Sequence, residues 1–109
     1  MAAITVVTNT VALERLANGL GPKIQAILAE VADFMEQRAK DLAPVRTGNL
    51  RDSINAVIDG WSVQLGSGAD YAAAVEFGLT TMIARPYMTP AIEEGARLLW
   101  QRIAELFDE

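Results

Sequence analysis

Between Lys23 and Leu42 apolar side chains return every three or four positions: Ile24, Ile27, Leu28, Val31, Phe34, Met35 and Leu42. Glu30, Asp33, Glu36, Gln37 and Lys40 fall between them. That spacing predicts an amphipathic helix, because residues three and four apart share one face of a 3.6-residue turn. The stripe is wide enough to need a sheet or a second helix against it. Pro22 suits the first turn, where a missing N–H costs nothing, and Pro44 stops the ladder. Upstream, Leu13, Leu16 and Leu20 keep helical spacing until Gly19, Gly21 and Pro22 interrupt it.

A second long helix is expected after Pro90, with Thr89 as its cap, Pro90 at its first position and Glu93 and Glu94 near the positive end of the dipole. Ile92, Ala96, Leu99, Ile103 and Leu106 make one seam, and Glu94, Arg97, Gln101 and Glu105 lie opposite. Leu98, Trp100 and Phe107 widen the apolar surface beyond a single stripe, which argues for a partner surface.

Shorter elements are read between these helices. Ile4 to Thr8 is β-branched and reads as a strand or an extended arm, open to pairing with another chain. Leu50 to Asp59 reads as a strand with Leu50, Asp52, Ile54, Ala56 and Ile58 on one face. Asp52 and Val57 break the alternation, leaving a bulge or a partial helix open there. Asp59-Gly60 is a strong hairpin signal, with Trp61 to Leu65 returning and Gly66-Ser67-Gly68 as the closing turn. Tyr71 to Phe77 is short and alanine-rich, one or two helical turns ended by Gly78. Leu79 to Ile83 is a third strand or an extended loop. Tyr71, Phe77 and Tyr87 are expected to bury their rings beneath the long helix.

The expected architecture is therefore α+β: a small antiparallel sheet of 3–4 strands packed against a long N-terminal helix and a C-terminal helix. A chain of 109 residues fits one domain, 1–109. Its parts would be an arm at 1–10, a helical segment at 11–43 broken near Gly21-Pro22, a β-rich middle at 47–88 with a short helix at 71–77, and a helix at 90–108.

Reactive chemistry is sparse. The chain has no His and no Cys, which removes histidine-based triads, thiol nucleophiles, disulfides and the usual zinc sites. Asp52 and Glu76 are the carboxylates one would test for acid–base work, but their spacing carries no motif. The glycine-rich turn lacks the lysine and hydroxyl of a phosphate cradle. Glu76 and Arg85 are candidates for an ion pair locking the Gly78 corner. Nine basic against 14 acidic residues leave a net charge of −5, the wrong sign for binding phosphates non-specifically. No run approaches the roughly 20 apolar residues of a membrane span. MAAITVVTNTVALERL has no basic leader pattern, so synthesis in the cytoplasm is expected.

Three phrases stand in fixed order: APVRTGNLRDSI from Ala43, YAAAVEFG from Tyr71, and ARPYMTPA from Ala84. In this order they resemble the HK97-type gene-product-ten family of phage tail components. The positions carrying the resemblance include Pro44, Thr47, Gly48, Leu50, Arg51, Tyr71, Glu76, Phe77, Gly78, Arg85, Pro86 and Pro90. Leu79 stands where the family pattern has threonine.

The resemblance implies a non-enzymatic structural protein of a bacteriophage virion, without cofactors or metals. It would serve as a tail-completion or head–tail joining (neck) component, built as a homo-oligomeric, hexameric ring among other phage head-completion or tail proteins. Genome DNA would pass through the lumen without specific binding, and no membrane would be involved. The alternative is a prophage-encoded soluble interaction module working outside the virion.

Overall fold

The computed structural model describes residues 3–4, 19–43, 49–67, 72–78 and 86–107. Its elements are β1 (Ala3–Ile4), α1 (Gly21–Leu42), α2 (Asn49–Ser53), β2 (Ile54–Asp59), β3 (Ser62–Ser67), α3 (Ala72–Phe77) and α4 (Met88–Leu106). The class is α+β, as the alternation of patterns implies.

Helix α1 is the shared element. Ile24, Ile27, Leu28, Val31, Ala32, Met35 and Ala39 are buried along it, a face too wide for one neighbour. The β2–β3 hairpin and α4 both pack on it, and a single apolar cluster joins all three. Burying each large aliphatic side chain contributes about 1.5–3 kcal/mol, so this cluster is the main source of stability. Leu20 stands at the N-cap and Pro22 lies in the first turn. At the other end Ala43 turns extended (φ −66°, ψ 135°), as a residue preceding proline must.

Helices α1 and α4 run antiparallel. Arg38 meets Glu94 (Nε–Oε2 3.0 Å) and Arg102 meets Glu30 (Nε–Oε1 2.9 Å), so the C-terminal part of α1 lies beside the start of α4. These pairs are open to solvent, which screens them; they fix register more than stability. At the crossing Gly95 is buried against Met35. A Cβ built on Gly95 would stand 2.5 Å from Met35 Cγ, so the helices approach this closely only because residue 95 has no side chain.

Two antiparallel strands carry the sheet. Their register runs from Ile54 opposite Ser67 to Asp59 opposite Ser62. Gly60 (φ +61°) and Trp61 form the two-residue turn; glycine first and left-handed is the arrangement of a type II′ hairpin. Gln25 Nε2 donates to the Gly60 carbonyl (3.1 Å) and ties the tip to the first turns of α1. Among the described residues the sheet runs in the order β1-β3-β2. Among those residues β1 adds two to the sheet, Ala3 opposite Gly66 and Ile4 opposite Leu65.

One open choice is decided and two local expectations are corrected. Residues 49–53 form the partial helix and do not extend the strand. Leu50 and Ile54, four apart, are both buried, and Ser53 Oγ donates back to the Leu50 carbonyl at 2.8 Å. A strand would put Asp52 on the same buried face as Leu50 and Ile54; the helical turn leaves it exposed. Gly66-Ser67 is not a turn but the end of β3, where Ser67 shares a hydrogen bond with Ser53. Phe77 is 69% exposed instead of buried, whereas Tyr87 is fully buried. Tyr71, the Leu79–Ile83 segment and the helix expected upstream of Gly19 lie outside the described residues.

Candidate functional site

The most concentrated polar arrangement among the described residues is built around Glu76. It lies on α3, one turn and a half of helix that Gly78 ends with φ +78°, the left-handed conformation favoured just past a helix C-terminus. Val75 and Glu76 turn inward, Glu76 with 3% exposure, and Phe77, about 100° further round, turns out.

The carboxylate of Glu76 caps a helix eleven residues away. Oε1 accepts the backbone N–H groups of Tyr87 (2.9 Å) and Met88 (2.8 Å). Oε2 accepts the Thr89 N–H (3.1 Å) and the Thr89 hydroxyl (2.6 Å). A helix leaves its first four N–H groups without intrahelical acceptors. In α4 those positions are Tyr87 at the cap, Met88, Thr89 and Pro90. Three donate to one carboxylate, and the fourth is a proline with no N–H to place. The set is complete, and the negative charge sits at the positive end of the helix dipole.

This corrects the expected start of the helix. Tyr87 is the cap residue and makes no side-chain capping bond, while Thr89 sits in the first turn and Pro90 is the third helical residue. Burial pushes the Glu76 carboxyl up, but the Thr89 hydroxyl and the amides of Met88, Tyr87 and Thr89 together outweigh it and hold its pKa below the ordinary value of 4.5.

The remaining motif positions divide in two. Leu50 is in the core, and Arg51 Nε donates to the Lys40 carbonyl (3.3 Å) in the last turn of α1, satisfying an acceptor the helix leaves open. Pro86 is exposed immediately before the cap. Pro44, Thr47, Gly48, Tyr71 and Arg85 lie outside the described residues, and with Arg85 the expected Glu76–Arg85 pair. Asp52 is exposed on α2, in a different setting from Glu76, whose two oxygens are already engaged by four donors.

A further contact that sequence reading missed joins α1 to the hairpin: Glu36 accepts the Ala56 N–H of β2 at 2.8 Å. Its only sequence signal was an acid set among the outward positions of α1. Among the described residues no cluster of acidic, His or Cys side chains is suited to a metal ion. No described helix is long and apolar enough to cross a membrane.

What this geometry does is hold a scaffold together: it fastens one motif segment to the start of the terminal helix. A family model described as "Bacteriophage HK97-gp10, putative tail-component" matches residues 11–78, more than half of the chain. The chain belongs to this HK97-gp10-like family of phage tail components. No curated protein and no solved structure matches it. The matched span stops at Gly78, and Glu76 within it reaches forward to Tyr87, Met88 and Thr89 beyond it.

Proposed function

We propose that this protein is a tail-completion or head–tail joining component, acting as a ring at the neck of a long-tailed phage particle. The observation carrying this reading is the family match over residues 11–78. The motif side chains described above support it: Leu50, Arg51 and Glu76 serve packing and helix capping. In this reading residues 1–109 form one domain, and hexameric copies surround the channel through which the genome passes. Other head-completion or tail proteins are its neighbours.

The net charge of −5 fits a lumen that repels the phosphate backbone and lets DNA slide. Acidic side chains then line the inner wall; a wall lined by Arg46, Arg51 and Arg97 contradicts this part of the reading. Electron microscopy of particles assembled without the protein tests the whole. Filled heads and finished tails that stay apart are the expected result, and intact particles refute it.

A further inference from the structure

Strand β2 leaves two successive apolar residues open to solvent, Val57 at 47% exposure and Ile58 at 38%. Successive residues of a strand point to opposite faces of its sheet. Ile54 is buried on the α1 side, so Ile58 stands on that side and Val57 on the other. A partner laid against one face would cover only one of the two. A strand added along the edge covers both, because it continues the sheet in its own plane.

The backbone of this edge fits such a strand. Asn55, Val57 and Asp59 stand opposite Gly66, Gln64 and Ser62 of β3. Between them the Ala56 N–H turns away from β3, and Glu36 Oε1 accepts it at 2.8 Å. Backbone groups alternate in direction along a strand, so the N–H and C=O of Ile58 point the same way as those of Ala56. The Glu36 carboxylate therefore fills the place that a carbonyl oxygen of an added strand would take. Lys40, 3.5 Å from Glu36 and one turn on, stays beside that carboxylate as a counter-charge once the bond is released.

One register of β2 against its own reversed copy suits every residue of the edge. With Val57 opposite Val57 of the second copy, Ala56 and Ile58 exchange backbone hydrogen bonds across the two-fold axis, about four in all. The two valines meet at a non-hydrogen-bonded position, where side chains approach closely. On the α1 side each Ile58 lies beside the small side chain of Ala56 of the other copy. On the far side Asn55 comes opposite Asp59, an amide donor beside a carboxylate.

We propose that the β2 edge is a docking site for β2 of a second copy of this chain, and that Glu36 holds it shut in the free subunit. Pairing replaces two Glu36 bonds with the ladder between copies and covers Val57 and Ile58 together. The contact closes on itself after two subunits. It is therefore a state of the free protein, independent of where in the virion the chain acts.

Sedimentation equilibrium on the full chain, with circular dichroism to confirm folding, tests this. The contact is short, so the wild-type protein is expected to dimerise only at roughly several hundred micromolar. Glu36→Ala should dimerise at least about tenfold more tightly, because no charge-assisted bond has to be released first; at lower concentrations it is a monomer with a bare edge. In the Glu36→Ala background, Val57→Lys and Val57→Glu should each weaken pairing about tenfold, since each removes the valine contact and sets like charges directly opposite one another. An equimolar mixture of the two should restore it, because lysine then faces glutamate. A Glu36→Ala chain that dimerises no more tightly than wild type, association indifferent to Val57→Lys, or a mixture no better than its components overturns the proposal.

Discussion

The Glu76 carboxylate and Thr89 are joined twice, through the hydroxyl at 2.6 Å and the amide at 3.1 Å. With the amides of Tyr87 and Met88 on the other oxygen, one side chain satisfies every N–H that the start of α4 leaves open. A six-residue helix such as α3 is too short to be stable alone, so the same bonds also hold α3 in place.

Replacing that carboxylate separates charge from shape. Glu76→Gln keeps the outline but turns an NH2 group toward donors that need an acceptor. The expected loss is about 2 kcal/mol, since hydrogen bonds to a charged group are each worth about 1.5–3 kcal/mol. Glu76→Ala, leaving three amides open, should cost about 3 kcal/mol or more. Thr89→Val removes only the hydroxyl and should cost about 1 kcal/mol. Urea denaturation measures all three. The Glu76→Gln and Thr89→Val losses should not add, because they remove the same bond.

Acid should act through the same group. The folded-state pKa of Glu76 lies below the ordinary 4.5, so the folded protein binds this proton less tightly than the unfolded chain does. Its stabilising contribution is complete above the unfolded value and disappears as pH falls below 4.5 and through the lowered folded value. Urea midpoints taken from pH 7 down to pH 3 (roughly one unit or more on either side of carboxylate titration) should fall more steeply for wild type than for Glu76→Gln. Parallel curves would count against this account.

The helix crossing makes an independent prediction. Gly95→Ala gains about 1 kcal/mol of helix propensity but drives a methyl group into Met35, 2.5 Å from Cγ. The methyl meets both the Met35 tip (Cε) and Cγ, so relief needs the whole side chain to change rotamer inside a packed core. Overpacking costs about 1–3 kcal/mol, so the net effect should be a loss of about 1 kcal/mol. Met35→Ala alone should cost about 2–4 kcal/mol through its cavity. The double variant should be at least about 1 kcal/mol more stable than the sum of the two losses, as read from denaturation midpoints.

Elements with strong periodicity were legible from sequence. The Ile24–Met35 stripe and the Leu99–Ile103 seam gave α1 and α4, and Asp59-Gly60 marked the hairpin. What stayed hidden depends on contacts distant along the chain. Leu50 reads as a strand residue until Ile54 and the α1 core are placed around it. Thr89 looks like a cap because local rules search one turn back, whereas the acceptor used is Glu76. That choice also fixes the orientation of α3, which is why Phe77 points outward although its apolar character suggested burial. Of the candidate site, the motif positions were visible in the sequence, but capping by Arg51 and Glu76 was not.

The edge of the hairpin offers the last test. In the order β1-β3-β2, no strand of the described residues lies beyond β2, and a sheet edge invites pairing with another chain. Glu36 occupies part of that edge by accepting the Ala56 N–H at 2.8 Å. Glu36→Ala should expose this amide and cost about 1.5–3 kcal/mol, nearly all of it the charge-assisted bond, with little from the Lys40 pair. Glu36→Gln retains a carbonyl acceptor and should lose less than half of that. Hydrogen exchange followed by NMR distinguishes the two: the Ala56 amide should exchange about tenfold faster in Glu36→Ala, since a tenfold change corresponds to about 1.4 kcal/mol, while the Val63 and Leu65 amides change only with global stability. Equal exchange at Ala56 in wild type and Glu36→Ala would show that the carboxylate does not protect the edge.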